Sequence, residues 1–251
     1  MRLTFLGTGS AMPTGDRNQS GLLLETADRR LLVDCGSGVL NALAATDRGY
    51  EDIDAVLLSH HHLDHVADVL PLLKARWLAG APSLIVAGPA GTETLLAELL
   101  SVHEYLAKHV DPEGRHIDAG TRTLAGFDVA AIPVHHSMAG FGFRLTPAGS
   151  DGPAVVYSGD TVAFPEFLSN ADGAAVLVHD CSFPDDVHTD NHATPAALGR
   201  ALASADVTIG TVYLTHLYPH TDDRHEEMLA SITEHYDGAV RFATDGRTIR
   251  L

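Results

Sequence analysis

Cysteine and lysine are the scarcest reactive side chains here. Cys35 and Cys181 are the only cysteines in 251 residues, too few for a disulfide framework and in keeping with a reducing compartment. Each follows an aspartate, and both read as buried core thiols rather than metal ligands. Lysine is reduced to Lys74 and Lys108 beside fourteen arginines, against twenty-three aspartates and ten glutamates, for a formal net charge of −17. That balance argues against a broad nucleic-acid platform, which draws on clustered Lys and Arg. An acid-rich, lysine-poor surface suits solubility in concentrated salt, so the composition points to a halophilic source; the same salt would screen the repulsion of a polyanion. No run approaches the ~18 apolar residues of a membrane span, and Met1-Arg2-Leu3-Thr4-Phe5 enters a strand without a signal-peptide pattern. No membrane partner is expected, and the cytoplasm is the expected compartment. Repeats, low-complexity tracts and linkers are missing too, so residues 1–251 read as one domain, long enough to bury a substantial core.

Histidine is abundant, at sixteen residues, and unevenly placed. Ala55-Val56-Leu57-Leu58-Ser59 reads as a buried strand that ends where His60-His61-His62-Leu63-Asp64-His65 begins. If the chain stays extended there, its two-residue period projects His60, His62 and Asp64 to one side, with His65 opening a helical segment. Four imidazoles and one carboxylate within six residues suit zinc, manganese or iron better than a thiolate site would.

The pattern recurs along the chain, with His or Asp delivered at strand ends, where sites are built on α/β scaffolds. After strands at Arg2 to Leu6, Gly21 to Glu25 and Arg30 to Asp34, Asp34-Cys35-Gly36 precedes a helix over Val39 to Ala45, and Asp34 could serve as its N-cap. Val66 to Leu78 reads as helical with Pro71 interrupting it, and Thr92 to His109 as one amphipathic helix. The strand from Val129 ends in His135-His136, one of which is a candidate ligand. A short Pro/Gly/Ser/Asp connector, Thr146 to Ala154, leads to Tyr157-Ser158-Gly159-Asp160. Val176 to Val178 runs into His179-Asp180, and Asn191-His192-Ala193-Thr194-Pro195 opens a helix with Thr194 as N-cap and Pro195 at its first position. Thr211 to Thr215 ends in His216, and Asp245-Gly246 reads as a hairpin turn between two closing strands. His103, His109, His116, His188, His220, His225 and His235 read as surface or loop residues.

The spacing His-x-His-x-Asp-His over residues 60–65 resembles the signature of the metallo-β-lactamase fold superfamily. Phe5-Leu6-Gly7-Thr8-Gly9, Pro13 and Arg17-Asn18 are similar to the opening of ribonuclease Z and its relatives, although Ser37-Gly38-Val39-Leu40 after Asp34-Cys35-Gly36 departs from it. The resemblance implies an αββα sandwich: two facing mixed β-sheets flanked by helices. It selects His136 over His135, because His136 lies six residues before Gly142-Phe143-Arg144. It implies that His60, His62 and His136 hold one divalent metal, that Asp64, His65 and His216 hold a second, and that Asp160 bridges them. Asp34 would brace the metal loop. Zn2+ is the expected ion, with Mn2+ as the alternative. His192, matching the family's His-Ser-Thr motif, would be the proton donor, held by Asp180 in place of the family's Glu. Homodimers are frequent among such relatives.

Two metals lower the pKa of water from ~15.7 to ~7, so a bridging hydroxide is the expected nucleophile, with Asp64 orienting it. An alkoxide leaving group needs an acid such as His192, whereas a thiolate does not, which favours phosphodiester over thioester hydrolysis; a thioester- or lactone-type acyl hydrolase, which would share the metal ligands without requiring His192 and Asp180, is the lesser alternative. The motif set favours precursor tRNA as substrate. The missing flexible arm, which ribonuclease Z carries where Thr146 to Ala154 stands, favours a small nucleotide diester, and so does the acidic charge. A flavodiiron-type redox role would call for Glu in place of His62, and a non-catalytic role for lost ligands.

Overall fold

The computed structural model describes all 251 residues. Seven strands form the first sheet: β1 (Arg2–Gly7), β2 (Gly21–Glu25), β3 (Arg30–Val33), β4 (Ala55–Leu57), β5 (Ser83–Gly88), β6 (Asp111–His116) and β14 (Thr248–Arg250). Seven form the second: β7 (Gly120–Leu124), β8 (Phe127–Pro133), β9 (Phe141–Pro147), β10 (Val155–Tyr157), β11 (Val176–Asp180), β12 (Thr211–Thr215) and β13 (Val240–Phe242). The orders are β14-β1-β2-β3-β4-β5-β6 and β13-β12-β11-β10-β9-β8-β7. Each sheet is mixed: β3 to β6 and β10 to β13 run parallel, while β1 to β3 and β7 to β10 alternate in direction.

The central strands are apolar on both faces, and the period of two sorts them between layers. Leu22, Leu24, Leu31, Val33, Ala55 and Leu57 meet Val155, Tyr157, Val176 and Val178 in the layer between the sheets. Leu23, Leu32 and Val56 turn outward, toward α1 (Val39–Ala44), α3 (Val69–Leu78) and α4 (Thr92–Val102). On the far side, Val156, Leu177 and Val212 pack against α6 (Pro165–Leu168), α7 (Pro195–Ala205) and α8 (His225–Thr233). The αββα sandwich is therefore present, and no helix is long and apolar enough to cross a membrane.

Four local expectations need correction. The segment from Val66 to Leu78 breaks before Val69, between α2 (Leu63–Val66) and α3, and Pro71 sits undisturbed in the first turn of α3, where its missing N–H costs no hydrogen bond. The span Thr92 to His109 also divides: α4 gives way at His103, whose backbone is non-helical, to α5 (Glu104–Ala107). Asp34 caps no helix; the Gly38 and Leu40 amides at the start of α1 donate instead to Asp68 Oδ2, at 2.9 Å each. Thr194 does occupy the N-cap position of α7, with Pro195 at the first helical position, although it is Asp185 Oδ1 that accepts from Ala196 N at 2.9 Å. Asp245-Gly246 joins strands of different sheets rather than a hairpin. The Asp245 carboxylate accepts from Thr8 Oγ1 and Asn18 N, both at 2.6 Å, tying this crossing to the first loop.

One buried charge is central to the first sheet. Arg30, fully buried on β3, donates to Glu25 Oε1 at 2.9 Å and to Thr46 Oγ1 at 3.1 Å. Truncating it strands a buried Glu25 that retains only Arg2 at 2.8 Å. Arg30→Ala is expected to cost about 3–5 kcal/mol, read as a lowered midpoint in urea unfolding; a midpoint equal to wild type would contradict this.

Candidate metal centre

The chemistry-bearing residues leave the sheets at strand ends facing one another across the seam. Asp34 follows β3, Ser59 and His60 follow β4, His136 follows β8, Asp160 follows β10, Asp180 ends β11 and His216 follows β12. Between His60 and His65 the backbone is not uniformly extended: His62 is extended, but Leu63–Val66 is the helical turn α2, which carries Asp64 and His65 together. The expected two-residue projection of Asp64 alongside His60 and His62 is replaced by this turn. Gly36 makes the close approach possible, since a Cβ there would stand 2.0 Å from the Asp64 carbonyl oxygen.

Two groups of side chains converge. His60, His62, His136 and Asp160 form one, Asp64, His65, Asp160 and His216 the other, with donor atoms within 4.8 Å of one another in each and Asp160 common to both. In the first, His62 Nδ1 lies 3.0 Å from His60 Nε2 and 3.1 Å from His136 Nε2. In the second, His216 Nε2 lies 3.0 Å from Asp64 Oδ2 and 3.2 Å from Asp160 Oδ2, and His65 Nε2 is 3.2 Å from Asp160 Oδ1. These separations approach the edge, roughly 3.3 Å, of a tetrahedron built on ~2.0–2.1 Å metal–nitrogen bonds.

The opposite ring nitrogens are committed elsewhere. His65 Nδ1–H donates to Asp34 Oδ2 at 2.8 Å, His136 Nδ1–H to the Asn191 carbonyl at 2.9 Å, His60 Nδ1–H to Ser59 Oγ at 3.0 Å and His216 Nδ1–H to Ser182 Oγ at 2.9 Å. Each of these four rings therefore turns an Nε2 lone pair inward, the arrangement in which a histidine binds a metal. Lone pairs facing one another and a buried Asp160 Oδ1 without a hydrogen-bond partner are unfavourable unless a cation lies between them. The donor set thus fits divalent ions of the zinc or manganese kind. Burial lowers the His60 imidazole below its ordinary pKa. Burial also opposes charge on His65, while Asp160 and Asp34 outweigh it in the metal-free cluster and raise that group well above the ordinary value, so an ion binding there would have to displace a proton.

Asp34 is fully buried and saturated with donors: Ser59 N at 2.7 Å, and Ser59 Oγ, His65 Nδ1 and the Tyr157 hydroxyl at 2.8 Å each. Asp180, equally buried, accepts from Ser182 Oγ at 2.6 Å, His192 Nδ1 at 2.8 Å and Thr161 N at 3.0 Å. The shorter acid therefore reaches its histidine. Burial would lower the His192 pKa, but the hydrogen bond and charge of Asp180 raise it above the ordinary value. His192 also stacks on His216, with ring centroids 5.2 Å apart.

A cleft of about 920 Å³ opens beside His136 and His192, walled by His135, Phe183, His188, Asn191 and Tyr218 among others. Phe183 and Tyr218 are stacked at 4.5 Å. Burial and the neighbouring Asp64 push the Tyr218 hydroxyl up to about 12, so it remains a donor. Ser59, Ser182, Tyr157, Phe183 and Tyr218 were not singled out from sequence. Ser59, Ser182 and Tyr218 carried a usable signal, each lying within two residues of a singled-out His or Asp.

The two mixed sheets with a histidine and aspartate cluster at their seam define a metal-dependent hydrolase of the metallo-β-lactamase fold. The fold matches the metallo-β-lactamase fold protein YhfI from Bacillus subtilis, at a TM-score of 0.83 and 27% identity, covering 99% of this chain and 98% of that one. It also matches human tRNase Z, short form, at 0.78 and 23%, covering 100% and 99%. Ribonuclease Z of Mycolicibacterium paratuberculosis is 30% identical over 280 aligned positions, covering 100% of this chain and 98% of the relative. Residues 1–227 match the family described as "Anti-Pycsar protein Apyc1", and the chain belongs to that ribonuclease Z-like family.

Asp34 fixes His65 directly and His60 through Ser59, so its removal should loosen both donor groups. Asp34→Ala is expected to weaken zinc binding by about 10–100-fold, measured by competition with a chromophoric chelator. Wild-type affinity in a folded variant would show that the brace is dispensable.

Proposed function

We propose that this chain is a dinuclear metal-dependent phosphodiesterase acting on small phosphodiesters, such as a cyclic nucleotide or a short oligonucleotide. The observation that carries the reading is the Asp180–His192 pair, joined at 2.8 Å beside the donor cluster. In this reading His60, His62 and His136 would hold one ion and Asp64, His65 and His216 the other, with Asp160 available to both. Two divalent ions bound there would supply a nucleophile from water at neutral pH and stabilise charge on the phosphoryl oxygens. Asp64 orients the attacking water. Asp180 fixes His192 with Nδ1 as the anchored nitrogen, leaving Nε2 to hand a proton to the departing alkoxide.

A thiolate or a stabilised phenolate leaves without such help, so the acid pair favours alkyl phosphodiesters over thioesters. The cleft supports a small substrate. None of its eleven lining residues is Lys or Arg, and Asp190 is among them. A polyanion would need several cationic contacts for its phosphates, whereas one diester needs compensation only at the metal centre. Ala148–Ala154 joins β9 to β10 in seven residues, in the place where the ribonuclease Z resemblance calls for a tRNA-gripping arm. The second reading is tRNA 3′-end processing, favoured by the ribonuclease Z relative that aligns over the whole chain.

The apolar groove beside the metal loop supports self-association. It holds about 530 Å³ between α3 and α4–α5, with Leu63, Leu70, Leu95, Leu99 and Tyr105 among its walls, and Leu63 is 79% exposed. None of its twelve lining residues is acidic, so two copies of this anionic chain meeting at this face would bring no carboxylates of the groove together. A dimer is expected by light scattering, and Leu63→Glu combined with Leu99→Glu should yield monomers. A monomeric wild type at assay concentration would overturn this.

Zinc- or manganese-loaded protein should hydrolyse a nucleoside 3′,5′-cyclic phosphate and bis(p-nitrophenyl) phosphate. His192→Ala should lose about 10²–10⁴-fold in kcat on the cyclic phosphate and far less on the nitrophenyl ester. Equal losses on both would remove His192 as the acid. A single cut after the acceptor stem of a 3′-extended precursor tRNA, with no turnover of the cyclic phosphate, would establish the second reading instead.

A further inference from the structure

The metal centre is braced twice, in the same way, from the two sheets. On the first, Asp34 holds His65 directly and reaches His60 through Ser59. On the second, Asp180 holds His192 directly and reaches His216 through Ser182. Both aspartates and both serines are buried. The difference lies in what the direct partner does: His65 belongs to the donor cluster, whereas His192 lies outside the two groups that share Asp160.

We propose that Ser182 is a positioning residue that couples the proton donor to the Asp64–His65–His216 half of the metal centre. Ser59 serves only the metal centre. This inference rests on the phosphodiesterase reading of the same site. Ser182 Oγ has a single proton and several neighbours. The shortest contact, 2.6 Å to Asp180 Oδ1, marks where that proton goes. The oxygen then accepts from His216 Nδ1–H at 2.9 Å, which fixes the tautomer that presents Nε2 to Asp64 and Asp160. The other oxygen of Asp180 accepts from His192 Nδ1–H, and Ser182 Oγ is itself 3.3 Å from that nitrogen. One hydroxyl thus sets the orientation of the carboxylate that aims His192 and the tautomer of a donor imidazole. Deleting it removes an acceptor from His216 and a donor from Asp180 together.

Ser59 supplies the contrast. It donates to Asp34 Oδ2 at 2.8 Å and lies 3.0 Å from His60 Nδ1 and 3.4 Å from His65 Nδ1. None of its bonds involves Asp180 or His192. Its loss should therefore affect metal affinity without affecting proton donation.

The test compares wild type with Ser182→Ala and Ser59→Ala by two readouts. The first is zinc affinity by chelator competition, expected to fall by about 10–100-fold for one ion in each variant. The second is the ratio of kcat for bis(p-nitrophenyl) phosphate to kcat for a nucleoside 3′,5′-cyclic phosphate at saturating zinc. That ratio is expected to rise on the order of tenfold or more in Ser182→Ala and to stay at the wild-type value in Ser59→Ala. Ser182→Thr, which keeps the hydroxyl, should restore both readouts. An unchanged ratio in Ser182→Ala, or an equal rise in Ser59→Ala, would overturn the proposal. Imidazole nitrogen spectra of the zinc-loaded wild type give a check that needs no variant: His216 must carry its proton on Nδ1, and the opposite tautomer would overturn the assignment. Failure of wild type to hydrolyse either diester would instead defeat the phosphodiesterase reading, and the zinc and tautomer measurements would still decide the role of Ser182 at the metal centre.

Discussion

The hydrogen bonds that saturate two buried carboxylates are the constraint on which this site depends. An ionised aspartate removed from water is tolerable only when donors surround it. Asp34 gathers four such bonds and Asp180 three, from loops that are otherwise unrelated in sequence. Each carboxylate therefore dictates where several loops end. Asp34 pins Ser59, His65 and the Tyr157 hydroxyl, bringing a strand of the second sheet onto the first. Asp180 pins Thr161, Ser182 and His192, three separate segments of the second half. The imidazoles converge because their outer nitrogens are bonded to fixed acceptors.

Backbone strain marks the site as well, at Asp34 itself and at the His216 that Ser182 links to Asp180. Asp34 and His216 are non-glycine residues in the left-handed region, at φ 59° and 60°, a conformation that costs such residues of order 1–3 kcal/mol. Each follows the last residue of a parallel strand and turns the chain abruptly. The side-chain bonds to Ser59, His65, Tyr157 and Ser182 hold these turns in place. Strain and donor convergence thus share one origin: a strand that stops at the seam of the two sheets and presents a polar side chain there.

That origin also explains what was legible in the sequence. The apolar strands announced themselves because both faces are buried, so Leu22 to Leu24 and Leu31 to Val33 are unbroken apolar runs. The strand ends were marked by His or Asp, and the resemblance around His60 to His65 indicated which of them to group. The edges were hidden. β6, Asp111 to His116, contains Pro112, Gly114 and charged residues that protect an edge strand from pairing, and its pattern carries no period of two. Asp245-Gly246 looked like a hairpin because local turn chemistry cannot say which sheet the next strand joins. The cap of α1 was misassigned for the same reason: its first amides are satisfied by Asp68, which lies far from that helix in sequence. Ser59 and Ser182 were overlooked because a serine's role depends on its neighbours in space.

Charge links the site to the acidic surface around it. Asp34, Asp64, Asp160 and Asp180 place four carboxylates within one hydrogen-bonded assembly, and no lysine or arginine bonds to any of them. Under the proposed loading, two divalent ions would offset these four charges, and the ions together with His192 are what would compensate a singly charged phosphodiester. A chain with a net charge of −17 then attracts an anion only at that point, at short range, because its surface repels at distance. A long nucleic acid would meet that repulsion along its whole length, whereas a small diester meets it only while entering the cleft. The composition that argued against a nucleic-acid platform is therefore the outer part of the same electrostatic arrangement that the four aspartates build within.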